Sequence, residues 1–169
     1  PEVLCEADQS EYFTTDIELH HNYNVVAIGP GISTTSDTIA AVDSFIKRYR
    51  RPCILDADAL NCIATRLVLI HSIPKGSILT PHNSEFDRLF GEHTTDEDRL
   101  KKAIDVSRLY EITIVLKGHY TKTVRPDGKV SFPLIGDVDV TGKTVTQFRE
   151  ELVSRFGYYL VKPQISVNV

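Results

Sequence analysis

The sequence predicts an α/β fold, a mainly parallel sheet with helices on both faces, followed by a small α+β tail. Three observations carry this. Short apolar runs rich in β-branched residues alternate with longer helical stripes as far as Leu116. Such alternation is the signature of βαβ units, because parallel strands need a crossover and a helix is the usual one. Each run also ends on a turn or polar signal: Gly29-Pro30-Gly31, Asp56, Pro81 and Lys117-Gly118. Past that point the pattern changes from crossovers to a hairpin.

Residues 24–28, Asn-Val-Val-Ala-Ile, read as the first buried strand. A helix follows from about Ser36 to Arg50, with Ile39, Val42, Ile46 and Tyr49 at steps of three and four. Ser36 is placed to cap it, and Asp37 suits the positive end of its dipole. Cys53–Leu55 is the second strand, Ala59–Ile70 the second helix and Ser77–Thr80 the third strand. A short helix covers Glu85–Phe90. Thr94 and Glu97 have capping-box spacing before a helix running to about Tyr110. Ile112–Leu116 is the fourth strand. Thr121–Arg125 and Lys129–Phe132 then flank Pro126-Asp127-Gly128 as a hairpin. Val138–Val140 is a short strand, and Thr144 with Gln147 caps a helix bearing Phe148, Leu152 and Phe156. Gly157 or Pro163 ends that helix. Ile165, Val167 and Val169 alternate with polar residues as a half-buried strand.

Composition narrows the function classes. In 169 residues, 41% are hydrophobic and 25% charged, which suits a packed globular core and not disorder. Nineteen basic against 23 acidic residues give a net charge of −4, without a basic block for nucleic acid or anionic membrane. The longest apolar run, Leu67–Ile70, is too short to span a bilayer. Cys5, Cys53 and Cys62 form an odd, scattered set, which points to reduced thiols in the cytoplasm and to no zinc site. The chain has no Met and opens on Pro1, and so reads as an excerpt of something longer.

Four polar clusters fall at the carboxyl ends of the four strands, where open α/β sheets bind ligands. Gly29-Pro30-Gly31 offers backbone N–H groups to an anion, or is a plain tight turn. Asp56 and Asp58 are edge-of-sheet acids, or helix caps. His82 follows Thr80-Pro81, as a ligand contact or as a structural hydrogen-bonder. Lys117, Gly118 and Thr121 can contact phosphate oxygens, or form an ordinary turn with a surface lysine. Each is weak alone; together they line one rim.

The series Gly29-Pro30-Gly31, Leu55-Asp56-Ala57-Asp58-Ala59-Leu60-Asn61, Thr80-Pro81-His82-Asn83-Ser84-Glu85-Phe86-Asp87-Arg88-Leu89 and Lys117-Gly118-His119-Tyr120-Thr121 resembles the ADP/ATP-dependent NAD(P)H-hydrate dehydratases, from about Pro1 to Phe132. The resemblance implies a ribokinase-like fold. It implies ADP or ATP, with Mg2+, as cofactor and hydrated NAD(P)H as substrate. Gly31 and His82 would then meet the hydrated dinucleotide, and Lys117, Gly118 and Thr121 the adenine nucleotide. Two family glycines are replaced, by Ser33 and Ser84. The family's Gly-Ser-Gly-Asp segment, its anion hole and catalytic Asp, does not occur in this sequence. No catalytic residue can therefore be named, and the chain by itself is expected to be inactive. Asp137, after Gly136, is a superficial substitute only.

Residues 127–169, including Val140-Thr141-Gly142-Lys143-Thr144 and Pro163-Gln164-Ile165-Ser166-Val167-Asn168-Val169, resemble the end of the polysaccharide export domain. That likeness implies a division at 1–132 and 133–169, and a chimera of two incomplete families. Three functions follow as expectations: nicotinamide-nucleotide repair; a periplasmic export module acting through the tail; or a joined chain with no activity.

Overall fold

The computed structural model describes Ser10, Ile17 and residues 23–159. Seven strands form one sheet in chain order: β1 (Ala27–Ile28), β2 (Ile54–Leu55), β3 (Ile78–Leu79), β4 (Thr113–Leu116), β5 (Lys122–Val124), β6 (Lys129–Phe132) and β7 (Gly136–Asp139). The first four pair parallel, in register Ala27↔Ile54↔Ile78↔Thr113. From β4 onward every pairing is antiparallel, so the sheet is mixed, half crossover and half meander.

Helices α1 (Ser36–Arg48), α2 (Ala57–Thr65), α3 (Asn83–Phe90) and α4 (Asp96–Tyr110) join the parallel strands and pack neighbour on neighbour. Strand periodicity shows which face they cover. Val26, Ile28, Leu55, Leu79, Ile114, Leu116, Val124, Val130 and Val138 are buried in one core. The alternate positions Ile54, Ile78, Thr113, Val115, Thr123 and Ser131 are only half-buried, and Ala27 is exposed.

Several element boundaries differ from the sequence expectation, each for a local reason. Thr35 rather than Ser36 caps α1, its hydroxyl accepting from the Thr38 amide at 3.3 Å from an extended backbone. Helix α2 begins at Ala57, because the Asp56 carboxylate accepts from the Ala57 amide at 2.9 Å. It stops at Thr65, whose hydroxyl donates to the Cys62 carbonyl, and a separate 3-10 helix covers Leu67–Ser72. Helix α3 starts two residues early, at Asn83, since the His82 side chain caps it. For α4, Thr95 and not Thr94 is the cap, accepting from Asp98 N and donating to the Asp98 carboxylate.

The last elements join the same core. Strand β7 begins and ends a little before the expected 138–140 and pairs with β6 through Val130↔Val138. Helix α5 (Val145–Phe156) has the expected Thr144–Gln147 capping box, with Gly157 after it. Its Phe148 and Leu152 are buried, and the Phe132 ring lies 6.2 Å from Phe148 and 6.4 Å from Phe156. The strand expected over 165–169 lies outside the described residues, as does Cys5. Cys53 and Cys62 are free thiols, both buried.

Candidate functional site at the carboxyl rim of the parallel strands

The four clusters converge, each in contact with at least one other. Gly29 lies so close to α2 that a Cβ there would fall 1.7 Å from the Asp56 carbonyl oxygen. Asp56 Oδ1 accepts from Lys117 Nζ at 2.6 Å, an ion pair that reaches from the end of β2 across β3 to the end of β4. Lys117 in turn forms a parallel bridge with His82, and its amide donates to the Pro81 carbonyl at 2.8 Å. Glycine at position 29 is therefore a matter of space between β1 and α2. Gly31 has a different role: its φ is +74° and no atom outside its chain neighbours approaches within 4 Å of where a Cβ would be. The surface above it is open.

The Asp56 carboxyl is partly buried, which by itself pushes its pKa up. The Lys117 ammonium, the Thr80 hydroxyl and the Ala57 amide outweigh this and hold it below the ordinary carboxylate value. Thr80 Oγ1 is buried without a hydrogen bond of good geometry, so it acts on the carboxylate mainly through its dipole. The Lys117 side chain keeps 40% of its surface exposed, enough for an incoming phosphate to share the ammonium.

His82 is first of all a cap. Its Nδ1 accepts from the amides of Ser84 and Glu85 at 3.2 and 3.3 Å, which places the ring proton on Nε2, 3.3 Å from Glu85 Oε1. The Glu85 carboxylate also accepts from the His82 amide at 2.8 Å, closing a capping box. Nearly half the imidazole surface, 48%, still faces outward at the rim. Gly118 and Thr121 are exposed in the loop after β4, and a Cβ on Gly118 would meet Asn83 Oδ1 at an ordinary 3.7 Å.

Asp58 ties the loop after β1 to α2: its Oδ2 accepts from the Ser33 amide at 3.0 Å. Ser33, in the loop after β1, has φ +70° and Ala57, the first residue of α2, φ +46°, two non-glycine residues in the left-handed region. This explains the family glycine that Ser33 replaces. Cys62 Sγ donates to the Ser33 carbonyl at 3.7 Å, and burial followed by the nearby Asp58 charge pushes its pKa to about 11, so it is an inert thiol. Asp137 is far along the sheet on β7, in contact with Ser131 and Arg125, which hold its carboxyl below the ordinary value. It is unsuited to act as a base here.

Sequence reading passed over one part of the rim. Thr34, Asp58, Asn61, Ala64, Thr65 and Arg88 line an open cleft of about 540 Å3 between the β1–α1 loop, α2 and α3. The signal for it was present, because positions 58, 61 and 65 are one polar helical stripe on a helix whose other faces are apolar. No cluster of three metal-ligating side chains occurs among the described residues.

A family model described as NAD(P)H-hydrate dehydratase matches residues 1–139, past Phe132 and through β7. The bifunctional NAD(P)H-hydrate repair enzyme of Moorella thermoacetica is 38% identical over 132 residues, 77% of this chain and 25% of that protein. The ADP-dependent (S)-NAD(P)H-hydrate dehydratase of Bacillus subtilis is 36% identical over 115 residues, 67% of this chain and 40% of that protein. A crystal structure of the ADP/ATP-dependent NAD(P)H-hydrate dehydratase of Bacillus subtilis, co-crystallized with ATP/Mg2+, superposes with TM-score 0.52. Its identity is 31%, covering 70% of this chain and 41% of that one. The chain thus spans less than half the length of these relatives.

Proposed function

The chain belongs to the NAD(P)H-hydrate dehydratase family, and from that premise we propose that it carries part of an ADP/ATP-dependent nicotinamide-nucleotide repair site. In this reading a nucleoside phosphate lies against Lys117, Gly118 and Thr121, and the hydrated dinucleotide against Gly31 and His82. The observation that carries it is the junction of Asp56, Lys117 and His82 beside the open surface over Gly31.

Each residue has a task that its geometry allows. Asp56 fixes the Lys117 ammonium at the sheet edge, so a phosphate meets a charge already oriented. Gly118 and Thr121, exposed in the loop after β4, leave room for further phosphate oxygens. The amino terminus of α3, beside His82, adds a favourable dipole for negative charge. A bound nucleoside phosphate would supply the driving force for removing the substrate hydroxyl as water. No helix among the described residues is long and apolar enough to cross a membrane. We place the protein in the cytoplasm, where its buried thiols Cys53 and Cys62 stay reduced.

The reading is tested by calorimetric titration with ADP. The expected result is weak binding that Lys117→Ala abolishes while the folded signal is kept. No heat at millimolar ADP from folded protein would remove it. Dehydration is a separate matter. Without the family's Gly-Ser-Gly-Asp segment, both oriented donors and a base are lacking, and one donor alone is worth roughly a hundred- to a thousand-fold in rate. Recovery of NADH absorbance from its hydrate, with ATP or ADP, is expected to stay at background for these 169 residues alone.

A further inference from the structure

The α2–α3 cleft is built from the same two helices whose first residues make the rim. Helix α2 starts beside Asp56 and carries Asp58, Asn61 and Thr65 into the cleft; α3 starts beside His82 and carries Arg88. At 1.5 Å rise per residue, Arg88 lies about 9 Å along α3 from His82. That separation is within reach of the far half of a diphosphate-linked dinucleotide whose near half rests at Gly31 and His82.

The lining chooses the chemistry. Only Ala64 of the six lining residues is apolar, which disfavours a greasy occupant. Among the described residues Arg88 makes one hydrogen bond, from Nη1 to Asn61 Oδ1 at 2.8 Å, and pairs with no carboxylate. This bond orients the guanidinium and leaves its other donors for a phosphate, which it can grip through two N–H groups. Asp58 uses one oxygen on the Ser33 amide and keeps the other. Adenine dinucleotide sites elsewhere set either a carboxylate on the ribose 2′-hydroxyl or an Arg on a 2′-phosphate; with the phosphate on Arg88, the 3′-hydroxyl is the one left for Asp58. The hydroxyls of Thr34 and Thr65 complete a polar wall.

We propose that this cleft is a subsite for the phosphorylated ribose of the adenosine half of the dinucleotide, with Arg88 on the phosphate and Asp58 on a ribose hydroxyl. The proposal rests on the functional reading above and adds a specificity residue to it: Arg88 favours the dinucleotide that bears a 2′-phosphate.

The test is titration of the 15N-labelled chain with NADP+ and NAD+, following backbone amides by NMR. NADP+ is expected to shift Asn61, Thr65 and Arg88 as well as Gly31 and His82. Arg88→Gln should weaken NADP+ roughly tenfold, the loss of one charge-assisted contact, and NAD+ far less. Arg88→Lys should recover part of the difference. Arg88 is exposed, so folding is not at risk. Equal weakening of both dinucleotides overturns the proposal. So do shifts that leave Asn61, Thr65 and Arg88 unmoved, no NADP+ binding by the folded chain, or inorganic phosphate binding as tightly as NADP+. Lys117→Ala separates the two readings. Loss of ADP binding in that variant, with NADP+ indifferent to Arg88→Gln, removes the subsite alone. An Arg88-dependent NADP+ preference with no ADP heat removes the rim reading alone.

Discussion

The two halves of the sheet use charge in opposite ways. In the parallel half, Asp56–Lys117 and Asp87–Arg99 are partly sheltered pairs that join separate elements: β2 to β4, and α3 to α4. Arg99 is buried. It donates to both Asp87 oxygens and to the His93 carbonyl, while Asp87 also meets His93 Nδ1 at 3.0 Å. In the antiparallel half, Arg125–Asp137, Lys143–Glu151 and Arg155–Glu151 are partly exposed pairs, and none of their cations is as buried as Arg99. Parallel strands leave their helix amino termini and loop amides together at one rim, whereas a meander scatters its turns to both edges. Polar groups collect where the ends of the parallel strands are forced to meet.

Glycine substitution gives the sharpest contrast. Gly29→Ala would drive a Cβ into the Asp56 carbonyl at a φ of +141°, and combined clash and strain should cost about 3–5 kcal/mol, read as a lowered urea midpoint. Gly136→Ala in the antiparallel half has φ +68° and open space, so only the left-handed penalty of about 1–2 kcal/mol applies. Equal losses would mean that the close approach of β1 to α2 is not what constrains Gly29.

Acid should separate the halves next. The Asp87 carboxyl is held low first by its Arg99 hydrogen bonds, against some desolvation, with help from His93. A depressed folded-state pKa gives stability that is present above the unfolded value, near 3.9, and lost as pH falls through the folded one. Asp87→Asn should cost about 2 kcal/mol at neutral pH and flatten the decline of stability below about pH 4. Asp137→Asn, on a half-exposed group at the surface, should leave the midpoint where it is. A neutral-pH midpoint unmoved by Asp87→Asn would make the α3–α4 clamp decorative.

The smallest effect should be a gain. Ser33→Gly relieves a left-handed serine, offset by the extra freedom of glycine in the unfolded chain, for a net stabilisation of about 0.5–1 kcal/mol in the same urea assay. A destabilised variant would show that the Ser33 side chain is needed where it stands.

Much of this was legible in advance. The strands, their parallel order and the shared rim followed from apolar runs ending on Gly, Asp, Pro and Lys, since those signals are local. What was not legible depended on partners distant in sequence. Nothing in the sequence around position 56 announces that its carboxylate will find Lys117, 61 residues on. His82 shows the opposite: its capping role is local, and Glu85 three residues later was the visible clue. The cap positions of α1 and α4 were each misjudged by one residue because adjacent Thr and Ser residues compete for the role, and backbone conformation decides between them.

Every strand in this sheet lies beside its own neighbour in the chain, and that order has a kinetic consequence. Hairpins such as β5–β6 close in roughly 1–10 µs, because little chain entropy is lost in bringing their strands together. Each parallel pairing must instead wait for a helix to form and fold back across the sheet. The meander from β4 to β7 is therefore the natural template, with β3, β2 and β1 added outward from it in turn. Strands β1 and β2, which precede the meander in the chain, are thus the last part of the sheet to be completed.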